Sequence, residues 1–438
     1  MRKPHIGLVI IGHPNEVGFD LAGSCRDQAA AVLATLPITN SLIPHVISDI
    51  AAADAAGEVL RAADIDGLVV LTATWSDDFL ALRLVERLSV PVFTWALRGV
   101  ETGSLCGTQQ LDMVLAELGR PYRFWFGEIA DPETAAALAD FAFAAALAAA
   151  MRRLRIGLLG HRTFGMTEIA VDEIGLRRRL GPEVVPLSMR RFVTAVDQAP
   201  LAEATKAWRQ AQAAANVEVD DETGLYAGRV LATLRAWMAE HRLGAVAVDC
   251  YPDFMGRFCL AASQLAGEDL VVACEGDVNG AVAQVAAHFL TGGPTHNTDL
   301  LDVDVAEGTA LFSHCGCGHP SLAESPAEIR LAPVRLADEG LCVLFPGKPG
   351  PVTLLNLVGG GDSYRLGVLE GEAVRTDMVF PGNPTKVRLP GGGREFLDFV
   401  ARHALGHHWM IGYGHVGRRA RWWAELCGLN IKSYGGDL

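Results

Sequence analysis

Leu270-Val-Val-Ala-Cys274, followed directly by Glu275-Gly-Asp277-Val-Asn-Gly280, is the stretch on which the fold turns. The first five residues are a continuous apolar run, as in strands covered on both faces of a parallel sheet. A carboxylate ends the run, a glycine turn follows, and a long apolar helix-like segment begins. Strand, turn and helix in that order are half of a βαβ unit, and open α/β sheets carry functional groups at the carboxyl ends of strands. Glu275 stands at such an end. Capping the helix N-terminus is the favoured role for Asp277, because a carboxylate there accepts orphan backbone N–H groups.

Toward the C-terminus, the helix-like run closes at Leu290-Thr-Gly-Gly-Pro294, Asp299 stands near Asp302 and Asp304, and another apolar run ends in Phe312-Ser-His314-Cys-Gly-Cys-Gly-His319-Pro320. Carboxylates and a histidine at the ends of successive core elements make a donor set for a divalent cation. They imply metal-assisted chemistry on a small polar molecule. By spacing alone, Asp299 reads equally as a solvated loop carboxylate, and His314 as a core histidine bonded to backbone. His407 and His408 are adjacent, so on a strand they would face opposite ways and one of them would reach a common centre.

Toward the N-terminus, the first 150 or so residues alternate apolar strands with helices. Strands are expected at Ile6–Ile11, Pro44–Ser48, Gly67–Thr72, Val90–Trp95 and Tyr122–Gly127, and helices at, for example, Leu21–Leu36 and Gln109–Leu118. A second alternation has strands at Arg155–Gly160, Val184–Leu187, Ala245–Cys250 and Leu270–Cys274. After about Pro294, Gly and Pro separate short strands, as in Pro346-Gly-Lys-Pro-Gly-Pro351. The expected fold is therefore α/β: two tandem doubly wound α/β domains, residues 1–152 and 153–296, followed by a β-rich, barrel-like C-terminal domain, 297–438.

Composition narrows the function classes. The chain has 438 residues, half of them hydrophobic, and a formal net charge of −14. No basic patch interleaves with aromatics, which argues against nucleic acid as a partner. The basic clusters Arg177–Arg179 and Arg418–Arg421 fit solvated helix faces. Thr134–Met151 is Ala-rich and interrupted by Asp140, as in a buried helix of a soluble protein rather than a membrane span. The N-terminus runs into a strand without a signal-peptide pattern, and nine cysteines form no regular framework. Together these features predict reduced thiols in the cytoplasm. Cys315-Gly-Cys317 is too tight for a Cys-x-x-Cys zinc hairpin, and Cys250, Cys259 and Cys274 read as core thiols. Gly157, Gly160 and Gly165 lack the spacing of a phosphate loop, so no nucleotide cofactor is expected. No Gly-x-Ser-x-Gly elbow occurs. Cys315 beside His314 is a candidate nucleophile pair, but adjacency in sequence does not set reacting geometry.

Several motifs, in order, resemble the L-fucose isomerase and L-arabinose isomerase superfamily, and most of all its shorter fucose isomerase-like members. They are Gly160-His-Arg-Thr-Phe-Gly-Met166, Val248-Asp-Cys-Tyr-Pro252, Ala273-Cys-Glu-Gly-Asp277, Leu290-Thr-Gly-Gly-Pro294 with Asp299, Ser313-His-Cys-Gly316, and Gly406-His-His408 with Gly414-His-Val-Gly417. The resemblance implies one manganese-type divalent cation (Mn2+ or another) held by Glu275, Asp299 and His408. His314 would be a fourth ligand or a substrate contact. The second acid, Asp299, is fucose-like, whereas the arabinose type has Glu. The chain is shorter than typical fucose isomerases.

The implied activity is a metal-dependent aldose–ketose isomerisation of an open-chain sugar through an enediolate. Glu275 and Asp299 share the acid/base work, and Trp75, His161, His314 and His407 are substrate-contact candidates. The alternatives are a metal-dependent aldolase or epimerase, or a non-catalytic sugar-binding module. The resemblance also implies a homotrimer or homohexamer, with strand ends such as Thr74-Trp-Ser-Asp77 and Gly103-Ser104 completing pockets across subunits.

Overall fold

A computed structural model describes residues 2–435 of the chain. The protein is mixed α/β, with two parallel sheets and a larger mixed one. It forms two compact units: the chain up to Ala150 together with Trp422–Gly428, and the chain from Met151 to Arg421 together with the segment after Gly428.

The first unit alternates β1 (His5–Ile11), α1 (Ala22–Thr35), β2 (Thr39–Leu42), α2 (Ile50–Ala62), β3 (Gly67–Thr72), α3 (Asp78–Arg87), β4 (Val92–Ala96), α4 (Ser104–Glu117), β5 (Tyr122–Phe126) and α5 (Pro132–Arg153). The strands pair in parallel in the order β2-β1-β3-β4-β5. All six residues of β3 are buried, as a strand covered on both faces requires. The strand expected at Pro44–Ser48 lies earlier, at Thr39–Leu42; of the expected stretch, Ile47 alone bridges to Ile11. Proline has no N–H for the ladder, so the polar segment before it takes the edge. Among the described residues α5 alone is long and apolar enough to cross a membrane, and 67% of its most apolar window is buried within the protein. Its Phe141 packs on Phe93, ring centroids 5.2 Å apart.

The second unit opens with β6 (Arg155–Leu159), α6 (Glu173–Arg179), β7 (Glu183–Leu187), α7 (Met189–Asp197), α8 (Leu201–Ala213), β8 (Asn216–Val217), α9 (Asp221–Glu240), β9 (Ala245–Val248), α10 (Cys259–Ala266), β10 (Val271–Ala273) and α11 (Val278–Thr291). Its parallel sheet runs β10-β9-β6-β7. Then follow β11 (His296–Asp304), β12 (Thr309–Ser313), β13 (Arg330–Val334), β14 (Glu339–Leu344), β15 (Gly350–Val358), β16 (Arg365–Val374), β17 (Thr385–Arg388), α12 (Gly393–His403), β18 (His408–Tyr413), α13 (Gly417–Leu426), which continues into the first unit's segment, and β19 (Asn430–Tyr434). The seven-stranded sheet runs β15-β18-β11-β12-β17-β16-β19, and β15 also pairs with β16, so the strands close on themselves. A small sheet of β14, β13 and β8 stands beside them.

Closure leaves β19, which pairs with β16 alone, as the edge strand and encloses an aromatic core. Trp409 is fully buried and lies 6.2 Å from Phe312 and 5.8 Å from Phe396. Burying each such ring contributes roughly 2–3 kcal/mol. Helix α11 is buried almost all round and packs on β9 and β10 as well as β15 and β18. Asp277 caps it by accepting the Gly280 N–H at 2.8 Å, and Gly292 ends it in the left-handed conformation, φ 69°. This helix therefore joins the parallel sheet to the closed sheet and brings the carboxyl end of β10 against β11 and β18.

Candidate metal centre

Glu275 follows β10 with φ +65°, and Gly276 with φ +68°. Two successive left-handed residues turn the chain sharply into α11, and for a glutamate this conformation is uncommon. Three backbone bonds hold it: Thr163 N–H to Glu275 O at 3.0 Å, Gly276 N–H to Val248 O at 2.8 Å, and Glu275 N–H to Cys250 Sγ at 3.3 Å. A Cβ on Gly276 would come within 2.3 Å of the His161 carbonyl oxygen, so only glycine fits.

Asp299 lies on β11, between β18 and β12. It stands directly opposite His408 on one side and Ser313 on the other, which puts His314 next to it. Cross-strand neighbours share a face at close range. His408 Nε2 lies 3.1 Å from Glu275 Oε2 and 3.7 Å from Asp299 Oδ1. His314 Nε2 lies 3.8 Å from Glu275 Oε1 and 3.9 Å from Asp299 Oδ1. Glu275, His314 and His408 are all buried.

His407 also reaches the cluster, which corrects the expectation that alternation would turn one of the two histidines away. Its Nε2 is 3.9 Å from Glu275 Oε2, and its ring lies 4.0 Å from that of His408, centroid to centroid. The reason is local: β18 begins at His408, so His407 is outside the alternating ladder. Glu168 holds it there, accepting the His407 backbone N–H at 3.2 Å and meeting Nδ1 at 2.5 Å.

Three supporting residues escaped the sequence reading in whole or part. Asp277 caps α11 as expected, but its other oxygen meets His408 Nδ1 at 2.7 Å. Glu168, on a 3-10 turn, and Asn356, on β15, carried no sequence signal. Asn356 Nδ2 donates to the carbonyls of Gly406 and His408 at 2.9 and 2.6 Å, fixing the approach to β18. His161 is not in the cluster: its side chain is 75% exposed and its Nε2 meets Asp249 Oδ2 at 3.2 Å. Trp75 belongs to the first unit, with its ring edge-on to His13.

The electrostatics favour a cation. Burial opposes charge on Glu275, yet His407 and His408 hold its carboxyl well below the usual carboxylate range. Burial also opposes charge on His408, but Asp277 and Glu275 push it up to about 9. Glu168 and then Glu275 push His407 up to about 10. His314 is raised well above its usual value, its burial outweighed by Asp299 and nearby groups. The carboxylates thus create a negative potential that draws positive charge. The residues also fit a divalent metal on chemistry: two carboxylates and three imidazoles converge, and Asp299 Oδ1, His314 Nδ1 and His314 Nε2 are buried without a hydrogen-bond partner of good geometry.

No family model matches the chain. It is 26% identical over 383 residues to a sulfoquinovose isomerase of Alkalicoccus urumqiensis, covering 84% of this chain and 85% of that protein. It is 25% identical over 387 residues to a sulfoquinovose isomerase of Priestia aryabhattai, covering 84% and 86%. An L-arabinose isomerase of Nocardioides sp. is 23% identical over 295 residues, covering 64% of this chain and 59% of that protein. These similarities support the resemblance to the fucose/arabinose isomerase superfamily. The relatives that this chain resembles are named as sugar isomerases.

Proposed function

We propose that this protein is a divalent-metal-dependent ketol-isomerase that converts an open-chain aldose to its ketose through an enediolate. The observation that carries the reading is the meeting of buried Glu275, His314 and His408 with the half-buried Asp299 beside them, in a chain similar to sugar isomerases. Sulfoquinovose, the sugar in the names of the Alkalicoccus and Priestia relatives, is the first substrate to try.

Glu275, Asp299 and His408, with His314 as a fourth donor, would hold the cation, with Mn2+ as the candidate. When bound, such an ion supplies Lewis acidity toward the sugar's carbonyl and neighbouring hydroxyl oxygens. Glu275 is tied to two imidazoles, whereas Asp299 keeps Oδ1 free of hydrogen bonds on a side chain that is 30% exposed. Asp299 is therefore the group that would take the proton from C2 and return a proton to C1, while the O2 hydroxyl proton passes to O1 as the carbonyl moves from C1 to C2. Asp277 and Glu168 orient His408 and His407. His314 and His407 are the proposed substrate contacts, and Trp75 would serve a neighbouring subunit's site in the oligomer. The same reading includes tandem α/β domains over 1–152 and 153–296 and a β-rich domain over 297–438, a cytoplasmic location, and a homotrimer or homohexamer.

The test is to offer the manganese-loaded protein sulfoquinovose, L-fucose and L-arabinose in deuterated water and follow products by NMR. Ketose formation with deuterium entering at the carbon beside the carbonyl is expected. Glu275→Gln should keep the fold and lose roughly 10³-fold in turnover, since Lewis-acid stabilisation is worth several kcal/mol. Cleavage fragments in place of ketose, or activity that survives exhaustive chelation, would overturn the reading.

A further inference from the structure

Behind the carboxylate cluster lies a group of thiols that the proposed reaction does not use. Cys259, Cys274, Cys317 and Cys342 are buried in one hydrophobic core, and Cys250 and Cys315 pack against it. Cys274 directly follows β10, one residue before Glu275, while Cys317 lies in the loop that leaves β12 through His314. One donor atom from each of Cys274, His314 and Cys317 lies within 4.8 Å of the other two, and all three residues are buried. Gly316, φ +104°, makes this approach possible: a Cβ there would meet Leu344 Cδ2 at 2.6 Å and Cys342 Cβ at 2.9 Å.

We propose that Cys274, Cys317 and His314 form a second cation site, suited to a soft divalent ion such as zinc or cadmium, which shares His314 with the carboxylate centre. Two thiolates and an imidazole are the donor set that such ions prefer, whereas the carboxylate side suits a harder ion. The sequence objection to zinc concerned the spacing of Cys315 and Cys317 within one hairpin. It does not apply to ligands from two separate segments.

Two further observations point to a ligand. His314 is 4% exposed, and neither of its ring nitrogens has a hydrogen-bond partner of good geometry. A narrow cavity of about 20 Å³ adjoins two of the three donors: Cys274 and His314 line it together with Cys250 and Cys315, while Cys317 stands outside its lining. Cys250 is the nearest candidate for a further donor: its thiol adjoins that of Cys274 and accepts the Glu275 N–H at 3.3 Å. Binding releases the thiol protons to solvent and transfers no electrons. Because His314 Nε2 lies 3.8 Å from Glu275 and 3.9 Å from Asp299, an ion at the thiols engages an imidazole that the carboxylate centre also uses.

The experiment is a cadmium titration of the full-length protein, read by the ultraviolet thiolate-to-cadmium charge-transfer band. Cadmium held by carboxylates and His408 gives no such band, so the result is independent of the isomerase reading. The wild type and Cys106→Ser, altered at an exposed thiol in the other unit, should develop the same band and saturate at one equivalent. Cys317→Ser should lose about half of the band and bind cadmium about tenfold or more weakly. Far-ultraviolet circular dichroism establishes folding, and Cys274→Ser decides the matter if Cys317→Ser does not fold. No band in the wild type, or an undiminished band in the folded variant, would overturn the proposal.

Discussion

Asp277 shows how one carboxylate serves two purposes. One oxygen caps α11 and the other orients His408. Asparagine is nearly as good a cap as aspartate, but it places no charge on the imidazole. Asp277→Asn should therefore leave the melting temperature almost unchanged and weaken manganese binding about 10- to 100-fold, the usual cost of losing a carboxylate that orients a ligating histidine. Equal affinity in a direct manganese titration would remove Asp277 from the site. The cap was legible because Asp at the start of an apolar run is a local signal. The bond to a histidine 131 residues away is not local, and Glu168 and Asn356 stayed hidden for the same reason. A second prediction concerns Asp112 on α4, whose Oδ1 has no hydrogen-bond partner. Burial pushes its carboxyl up to about 6 against the lowering effect of Thr94. The folded state thus holds the proton to higher pH than the unfolded state, so the contribution of Asp112 to stability is greatest in acid and declines as pH rises from about 4 to about 6. A shift of that size is worth ~3 kcal/mol, which solvent at this half-buried position screens to about 1 kcal/mol. Asp112→Asn should melt higher than wild type at pH 7 and the same near pH 3.5; an equal gain at both would refute the titration.

At the scale of elements, the strands readable from sequence were those built on continuous apolar runs, β1, β3 and β10 among them. β11 was not read, because its first four residues are His296-Asn-Thr-Asp299, polar yet central in the closed sheet. The apolar criterion fails where a strand carries functional groups; β18 also went unread, although Trp409-Met-Ile411 within it is an apolar run. The turn from β10 to α11 is a third such place. There the sequence announced a glycine turn without showing that Glu275 itself must adopt φ +65°. Gly276→Ala adds a Cβ at φ +68° and forces it to within 2.3 Å of the His161 carbonyl. Backbone strain of this kind costs ~1–3 kcal/mol before the clash is relieved. The variant should lower the denaturant midpoint and also displace Glu275, so manganese affinity falls with stability. A variant with unchanged midpoint and affinity would show that the turn tolerates a side chain.

At the scale of the whole molecule, every candidate ligand belongs to the unit that begins at Met151, although the ligands are spread over 134 positions from Cys274 to His408 (408 − 274). The cation would tie together the carboxyl end of β10, the start of β11, the end of β12 and the start of β18. A ligand that binds only the folded state stabilises it by RT ln(1 + [L]/Kd), about 2.7 kcal/mol at a hundredfold excess over Kd. That stabilisation should appear first in the local openings that break the site, before any global unfolding. Hydrogen exchange with and without manganese should therefore show slower exchange in Val271–Gly280, His296–Leu300 and Gly406–Tyr413. The strands β1 to β5 should change least. The Cys274–Cys317 side should respond to cadmium in the same assay through β10 and the loop after β12, while β18 responds mainly to manganese. Protection that rises evenly through both units, or in β1 to β5 alone, would mean that the cation is held elsewhere, and the convergence of Glu275, Asp299 and His408 would then need another explanation.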